Sequence, residues 1–271
     1  MNNFVKRTLS GIIFITLVIT SILLSRFTFV CFFAVICGCS VVEFHKLTNL
    51  QKDVTVNIGF ALAGAVLLFV CSFLYISGIL HYTVYSIYAI FVAFVIISEL
   101  YKQKPNPLHN WAYFILGQVF IALPFSLLNF IIFINDFQPI ILLAVFVTIW
   151  VNDTGAYLVG VTFGKHRLFE RISPKKSWEG FFGGALFALL SGYIFSLYYP
   201  GISLINWLIF SEIIVVFGTF GDLIESLLKR TIDVKDSGNI IPGHGGLLDR
   251  FDSMLLAAPA IFVFLSFLFD K

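Results

Sequence analysis

Apolar residues fall into nine runs separated by short polar breaks, near positions 9–25, 27–43, 57–78, 83–98, 112–134, 138–151, 180–199, 203–221 and 253–269. An α-helix needs about 20 consecutive apolar residues to cross a bilayer, and most of these runs approach or reach that length. The pattern predicts an all-α, polytopic integral membrane protein with about nine transmembrane helices and polar loops between them. Little more than Arg26 separates the first two runs, so a tight hairpin or a tilted, partly interfacial pair is expected there. The first 137 residues carry few polar groups, whereas two long polar segments, 152–179 and 222–252, interrupt the remainder. The expected organisation is N-terminal membrane helices over 1–137 and, over 138–271, a C-terminal membrane region that holds nearly all the candidate chemistry.

Composition agrees with this class. The 271 residues are 59% hydrophobic with 33 Phe, far too apolar for a soluble core. Lys6 and Arg7 before an apolar run resemble a secretory leader, but no small-x-small cleavage pattern follows, so a retained first helix is expected. A formal charge of +2 is too small to suggest nucleic acid as a partner. The placement of charge is more informative. With the N-terminus cytoplasmic, fifteen of the 17 Lys and Arg residues fall in inner loops and only Arg26 and Lys271 lie outside, a strong positive-inside bias. That orientation puts both polar segments on the cytoplasmic side. The short chain fits a bacterial inner (cell) membrane better than an organelle. The four cysteines, Cys31, Cys37, Cys39 and Cys71, lie in or beside apolar runs and show no disulfide framework or zinc spacing.

Polar chemistry concentrates between Gly221 and Asp252, where ten of 32 residues are charged against 12% of the whole chain. Ionised side chains at the bilayer centre cost on the order of 3 kcal/mol each, so the segment belongs at a membrane surface. Helical spacing puts Asp222, Glu225, Ser226 and Lys229 on one stripe and Leu223, Ile224, Leu227 and Leu228 opposite, predicting a wet face and a packed face. An ordinary solvated helix end gives the same pattern. Pro242, Gly243, His244, Gly245 and Gly246 predict a turn tight enough to bring backbone amides against an anion. Asp249 and Asp252 follow on one helical face, where the loop can set them opposite Asp222. Such carboxylates attract a divalent ion, and oxygen donors without cysteine or paired histidines favour Mg2+ or Mn2+ over zinc.

The earlier polar segment supplies opposite charge. Asn152 and Asp153 are expected to end the sixth helix, Lys165 and His166 follow Gly164, and Ser173, Lys175, Lys176, Ser177 and Glu179 lead into the seventh. Lysines near a helix start suit polyphosphate, although they serve equally as topology determinants on anionic headgroups. Gly160 to Lys165 is not a P-loop, since only three residues separate the glycines and His166 stands where Ser or Thr is required. Glu212 is either intramembrane or interfacial, depending on where the eighth helix begins.

The run Ser226, Leu228, Lys229, Arg230, Lys235, Asp236, Gly238, Ile241, Pro242, His244, Gly245, Gly246, Asp249, Arg250 and Asp252 resembles the signature of phosphatidate cytidylyltransferases without a departure. The stretches DTGAY from Asp153 and SPKKSWEG from Ser173 are also similar to that family, so the motifs cover roughly residues 150–253. The resemblance implies an integral membrane enzyme that converts CTP and phosphatidic acid to CDP-diacylglycerol and pyrophosphate. It further implies Mg2+ dependence, K+ as a possible second ion, and a homodimer. By matching positions it implies that Asp222 and Asp249 bind the metal.

On this reading Asp252 and Asp236 orient the metal's surroundings, and Lys229, Arg230, Lys235 and Arg250 neutralise the reacting phosphates. Lys175 and Lys176 serve the triphosphate tail or the lipid headgroup, and His244 shapes the turn. Asp153, Lys165, Ser173, Ser226, Gly245 and Gly246 complete the expected substrate-binding set. A CTP-dependent lipid-alcohol kinase shares these features but yields CDP. A transporter predicts charges spread along the spans, and here they gather at one face. The D-G-x-x-A-R pattern of CDP-alcohol phosphotransferases is absent.

Overall fold

A computed structural model describes residues 3–238 and 245–269. It contains α1 (Asn3–Leu24), α2 (Arg26–Thr48), α3 (Ile58–Ile76), α4 (Tyr85–Ser98), α5 (Pro107–Gly117), α6 (Leu123–Ile132), α7 (Pro139–Phe163), β1 (Arg167–Phe169), β2 (Ser173–Ser177), α8 (Trp178–Tyr198), α9 (Leu204–Thr231) and α10 (Leu248–Phe269). A π-helical turn at Gln118–Ala122 joins α5 and α6 into one apolar stretch, Pro107–Ile132. Among the described residues eight helices are long and apolar enough to cross a membrane by length and composition, and Thr8–Leu24 is a shorter apolar helix. Each of the nine apolar runs thus falls on a helix, as hydropathy and length require in lipid, where backbone groups must bond within their own segment.

The chain divides into two compact units, one of Met1–Phe137 with Ile232–Arg250, the other of Gln138–Thr231 with Phe251–Lys271. The segment 232–250, which carries much of the signature, therefore groups with the N-terminal helices. In this first unit, Phe29, Phe33, Phe69 and Phe125 are fully buried, and the Phe29 and Phe33 rings meet at 5.0 Å. Side-chain amides join the helices where lipid gives no hydrophobic drive for association: Gln118 Nε2 donates to the Ala61 carbonyl at 3.1 Å and Asn129 Nδ2 to that of Phe69 at 3.3 Å.

In the second unit, small residues let backbones approach. A Cβ at Gly183 would meet Val159, and one at Gly180 would meet the Ala156 carbonyl, so α8 can lie against α7 only with glycine there. Gly192 similarly admits the Trp207 carbonyl and Ser211 of α9, while Thr148 and Ser191 hydroxyls meet at 3.1 Å. Gly221 sits against the backbone of Asp252 and Ser253, bringing α9 and α10 together at the polar end.

Three sequence expectations need correction. The sixth apolar run does not end at Asn152 and Asp153: α7 continues to Phe163, because Asn152 is buried against α8 and the polar residues lie along a helix face rather than in a loop. The polar segment after it is not wholly irregular, since β1 and β2 form an antiparallel hairpin pairing Arg167 with Ser177 and Phe169 with Ser173. The third correction concerns the stripe on α9, which does not divide cleanly: Leu223 is buried and Asp222 is about 30% exposed as expected, but other members depart. Glu225 is fully buried, whereas Phe220, Ile224 and Leu227 are exposed. Glu225 turns inward and meets Lys229, while Ile224 and Leu227 face outward, where lipid is the apolar solvent.

Candidate functional site

Lys176 and Asp222 form the centre of the site in the second unit. The hairpin carries Lys176 on β2, and its Nζ lies 2.6 Å from Asp222 Oδ2 on α9, both side chains about 30% exposed. Asp222 Oδ1 accepts a hydrogen bond from Ser226 Oγ at 3.1 Å, one helical turn on. Asp252, partly buried on α10, lies within electrostatic reach of Asp222, Asp153 and Lys176. Lys176, Asp222 and Asp153 border a cavity of about 270 Å3 whose lining also includes Lys175, Tyr157 and Phe181. The lining thus combines charged and aromatic side chains, which suits a ligand with anionic and apolar parts.

Local hydrogen bonding fixes the hairpin. Glu179, in the first turn of α8, accepts the Lys165 N–H at 3.1 Å and the His166 N–H at 3.2 Å, and it meets His166 Nδ1 at 2.6 Å. The Trp178 N–H donates to the His166 carbonyl at 2.9 Å, and Ser177 Oγ caps the helix by accepting the Gly180 N–H at 3.1 Å. The end of the strand that leads from Lys176 into α8 is therefore anchored. Ser173 lies at the far end of β2, and the side chains of Lys165 and Lys175 are exposed. Further along α9, Lys229 Nζ lies 2.6 Å from Glu225 Oε2, and Arg230 is exposed.

The first unit holds a second polar cluster. Asp249 Oδ2 accepts the Gly246 N–H at 2.8 Å and the Ser237 N–H at 3.1 Å, and the Asp249 N–H donates to Ser237 Oγ at 3.3 Å. Gly245 has φ +85, a left-handed conformation open mainly to glycine, which explains that residue of the signature. Asp236, Lys235 and Arg250 are exposed, and His244 lies outside the described residues. Sequence reasoning missed Glu43, which is buried on α2 and accepts the Leu248 N–H at 2.8 Å and Ser237 Oγ–H at 3.4 Å, both on Oε2. Its signal was an acidic residue closing an otherwise apolar run. Glu179 and Glu225, whose partners lie in the hairpin and on α9, had no individual role in that reading.

Thus the structure brings Lys176, Asp222, Ser226, Asp153 and Asp252 together in one unit, and Gly246 and Asp249 in the other. Among the described residues no group of three or more His, Cys, Asp or Glu is gathered as a ready metal site. The donor chemistry of this cluster nonetheless fits a hard cation: Asp222, Asp153 and Asp252 offer only carboxylate oxygens, and Lys176 supplies positive charge among them.

Comparison with known proteins agrees with the motifs. Over 121 residues the chain is 51% identical to a protein of Bacillus subtilis (strain 168) named phosphatidate cytidylyltransferase, covering 44% of this chain and 45% of that protein. A protein of Staphylococcus haemolyticus (strain JCSC1435) with the same name is 45% identical over 126 residues, 46% of this chain and 48% of the relative. The chain spans about half the length of the curated relatives it matches. The match to the family pattern is far longer, running over residues 5–268, and with it the chain belongs to the cytidylyltransferase family.

Proposed function

We propose that this chain is a membrane-embedded CTP:phosphatidate cytidylyltransferase that forms CDP-diacylglycerol and pyrophosphate in phospholipid biosynthesis. The observation that carries this reading is the Lys176–Asp222 pair lining a cavity that also carries Tyr157 and Phe181, in a chain of this family. A nucleotide and a lipid phosphate are both anionic, and one of them brings acyl chains. The site supports both demands within a few residues.

Phosphatidate already carries a nucleophilic phosphate oxygen. That oxygen attacks the α-phosphorus of CTP, a new P–O bond forms, the bond from α-phosphorus to the oxygen bridging the β-phosphorus breaks, and pyrophosphate leaves with the electron pair. No general base is needed. Catalysis then rests on positioning two anions and offsetting the charge that develops on the leaving group. Lys176 and Lys175 bind phosphate oxygens from the hairpin, and Arg230, Lys235 and Arg250 add positive charge, with Lys229 held by Glu225. Asp222 and Asp249 would hold Mg2+, with K+ as a second ion, and Asp252 and Asp236 would orient them. When bound, Mg2+ offsets negative charge on the phosphates. The positive-inside bias supports a cytoplasmic site in a bacterial inner membrane. A homodimer belongs to the same reading.

The test is to incubate detergent-purified protein with α-labelled CTP and phosphatidate, with and without Mg2+, and to identify both products. Labelled CDP-lipid together with pyrophosphate is expected. Release of CDP would instead indicate a lipid-alcohol kinase, and no CTP-dependent product would overturn the proposal.

A further inference from the structure

We propose that Glu43, on the second helix, is a positioning residue for Asp249. It acts by tethering both ends of the signature loop. The observation is a set of hydrogen bonds that converges from distant parts of the sequence. Glu43 Oε2 accepts the Leu248 N–H at 2.8 Å across 205 positions of sequence, and it also accepts Ser237 Oγ–H at 3.4 Å. Ser237 also reaches Asp249 itself, and Leu248 immediately precedes it. The Ser237 N–H and the Gly246 N–H both donate to Asp249 Oδ2, and Ser237 Oγ accepts the Asp249 N–H. Glu43 and Asp249 therefore grip the same short backbone stretch, one from the membrane helix and one from the start of α10.

Three further features fit a tether rather than an incidental contact. Glu43 is 2% exposed and Ser237 is 4% exposed, so these bonds are shielded from competing water. Leu248 is the first residue of α10, whose N–H groups have no partner inside the helix, and a carboxylate there also meets the positive end of the helix dipole. Gly238 and Gly246 lie so close to the Glu43 carboxylate that a Cβ at either position would meet it. Gly238 of the signature is thus explained by Glu43, which lies outside it, and Gly246 by Glu43 together with Ser237 and the Gly238 backbone. An acidic side chain in an apolar helix is otherwise disfavoured, and here it has charge-assisted partners.

The inference rests on the proposed role of Asp249, and the test separates the two. Full-length protein in detergent would be compared as wild type, Glu43→Ala, Glu43→Gln, Ser237→Ala and Asp249→Asn, using amide hydrogen exchange over 245–250 and steady-state kinetics for CTP. A hydrogen bond to a charged group is worth enough that Glu43→Ala should speed exchange of 245–250 by about ten- to a hundredfold. Peptides of α7 and α8 should be unaffected. The same variant should lose about tenfold or more in kcat while KM for CTP changes less than about threefold, as expected when binding is retained but a reacting-state contact is misplaced.

Glu43→Gln keeps an acceptor for the Leu248 N–H and should recover part of both losses. Unchanged exchange in a folded Glu43→Ala protein overturns the tether whatever the activity. Faster exchange with normal turnover in both Glu43→Ala and Asp249→Asn leaves the tether standing and overturns the role of Asp249. If Glu43→Ala does not fold, Glu43→Gln and Ser237→Ala carry the comparison, and protection equal to wild type in both overturns the inference.

Discussion

Lys176 Nζ and Asp222 Oδ2 stand 2.6 Å apart, joining a short extramembrane hairpin to the polar end of a 28-residue helix. The pair is only partly shielded from solvent, so its contribution to stability is small. Its consequence is chemical. A lysine held beside carboxylates in a cavity lining can exchange its partner for phosphate when an anionic substrate enters.

Removing either member should therefore impair turnover more than folding. Lys176→Met and Asp222→Asn are each expected to lower kcat/KM by about a hundredfold, and the double variant by much less than the product, since the two act as a unit. A double-mutant cycle on purified protein checks this. Activity within threefold of wild type in Lys176→Met would remove the lysine from the proposed site.

Asp249→Asn replaces an acceptor of two backbone N–H groups by a side chain with one acceptor oxygen and no charge. Mg2+-dependent turnover should nearly vanish while the protein still elutes as a folded species in detergent. Chelation of divalent ions should abolish wild-type activity, and Mg2+ or Mn2+ should restore it. Near-normal rates in Asp249→Asn would refute its assignment as a ligand.

The contact of α7 with α8 depends on absent side chains. Gly183→Leu would drive a branched side chain into Val159, and overpacking of this kind costs about 1–3 kcal/mol. Thermal unfolding in detergent should show a lower Tm, and the hairpin carrying Lys176 should lose its anchorage. An unchanged Tm would mean that α8 can shift away without loss.

Glu212 lies two turns into α9, which begins at Leu204, so the eighth span does not start late enough to leave this residue at the helix end. Its Oε1 is buried without a hydrogen-bond partner among the described residues. Glu212→Leu is expected to stabilise the protein by about 1–3 kcal/mol, the scale of an unsatisfied buried polar atom. A thermal-shift measurement decides the sign, and a fall in Tm would show that the carboxylate has a partner.

That each apolar run is helical and that the chemistry concentrates in two polar segments could be read from the sequence, although eight helices among the described residues are long and apolar enough to span a membrane against about nine expected. Hydropathy and length are local properties, and in lipid they dictate a helix for each apolar run. The family resemblance implied Asp222 and Asp249 as metal ligands, and Lys175 and Lys176 stood out in the SPKKSWEG stretch. What the linear pattern could not supply was the direction in which a polar face points: α9 reads as an amphipathic helix with a wet stripe, and its Glu225 is instead buried. Periodicity gives a face, but only neighbouring helices and the surrounding solvent decide whether that face is inside or outside. The extension of α7 through Asp153 likewise depended on Asn152 packing against α8, a contact invisible in a run of polar letters. Glu43 is the plainest case. Its partners Ser237 and Leu248 lie far away in sequence, and hydrogen bonds between such distant groups arise only when packing brings the backbones together.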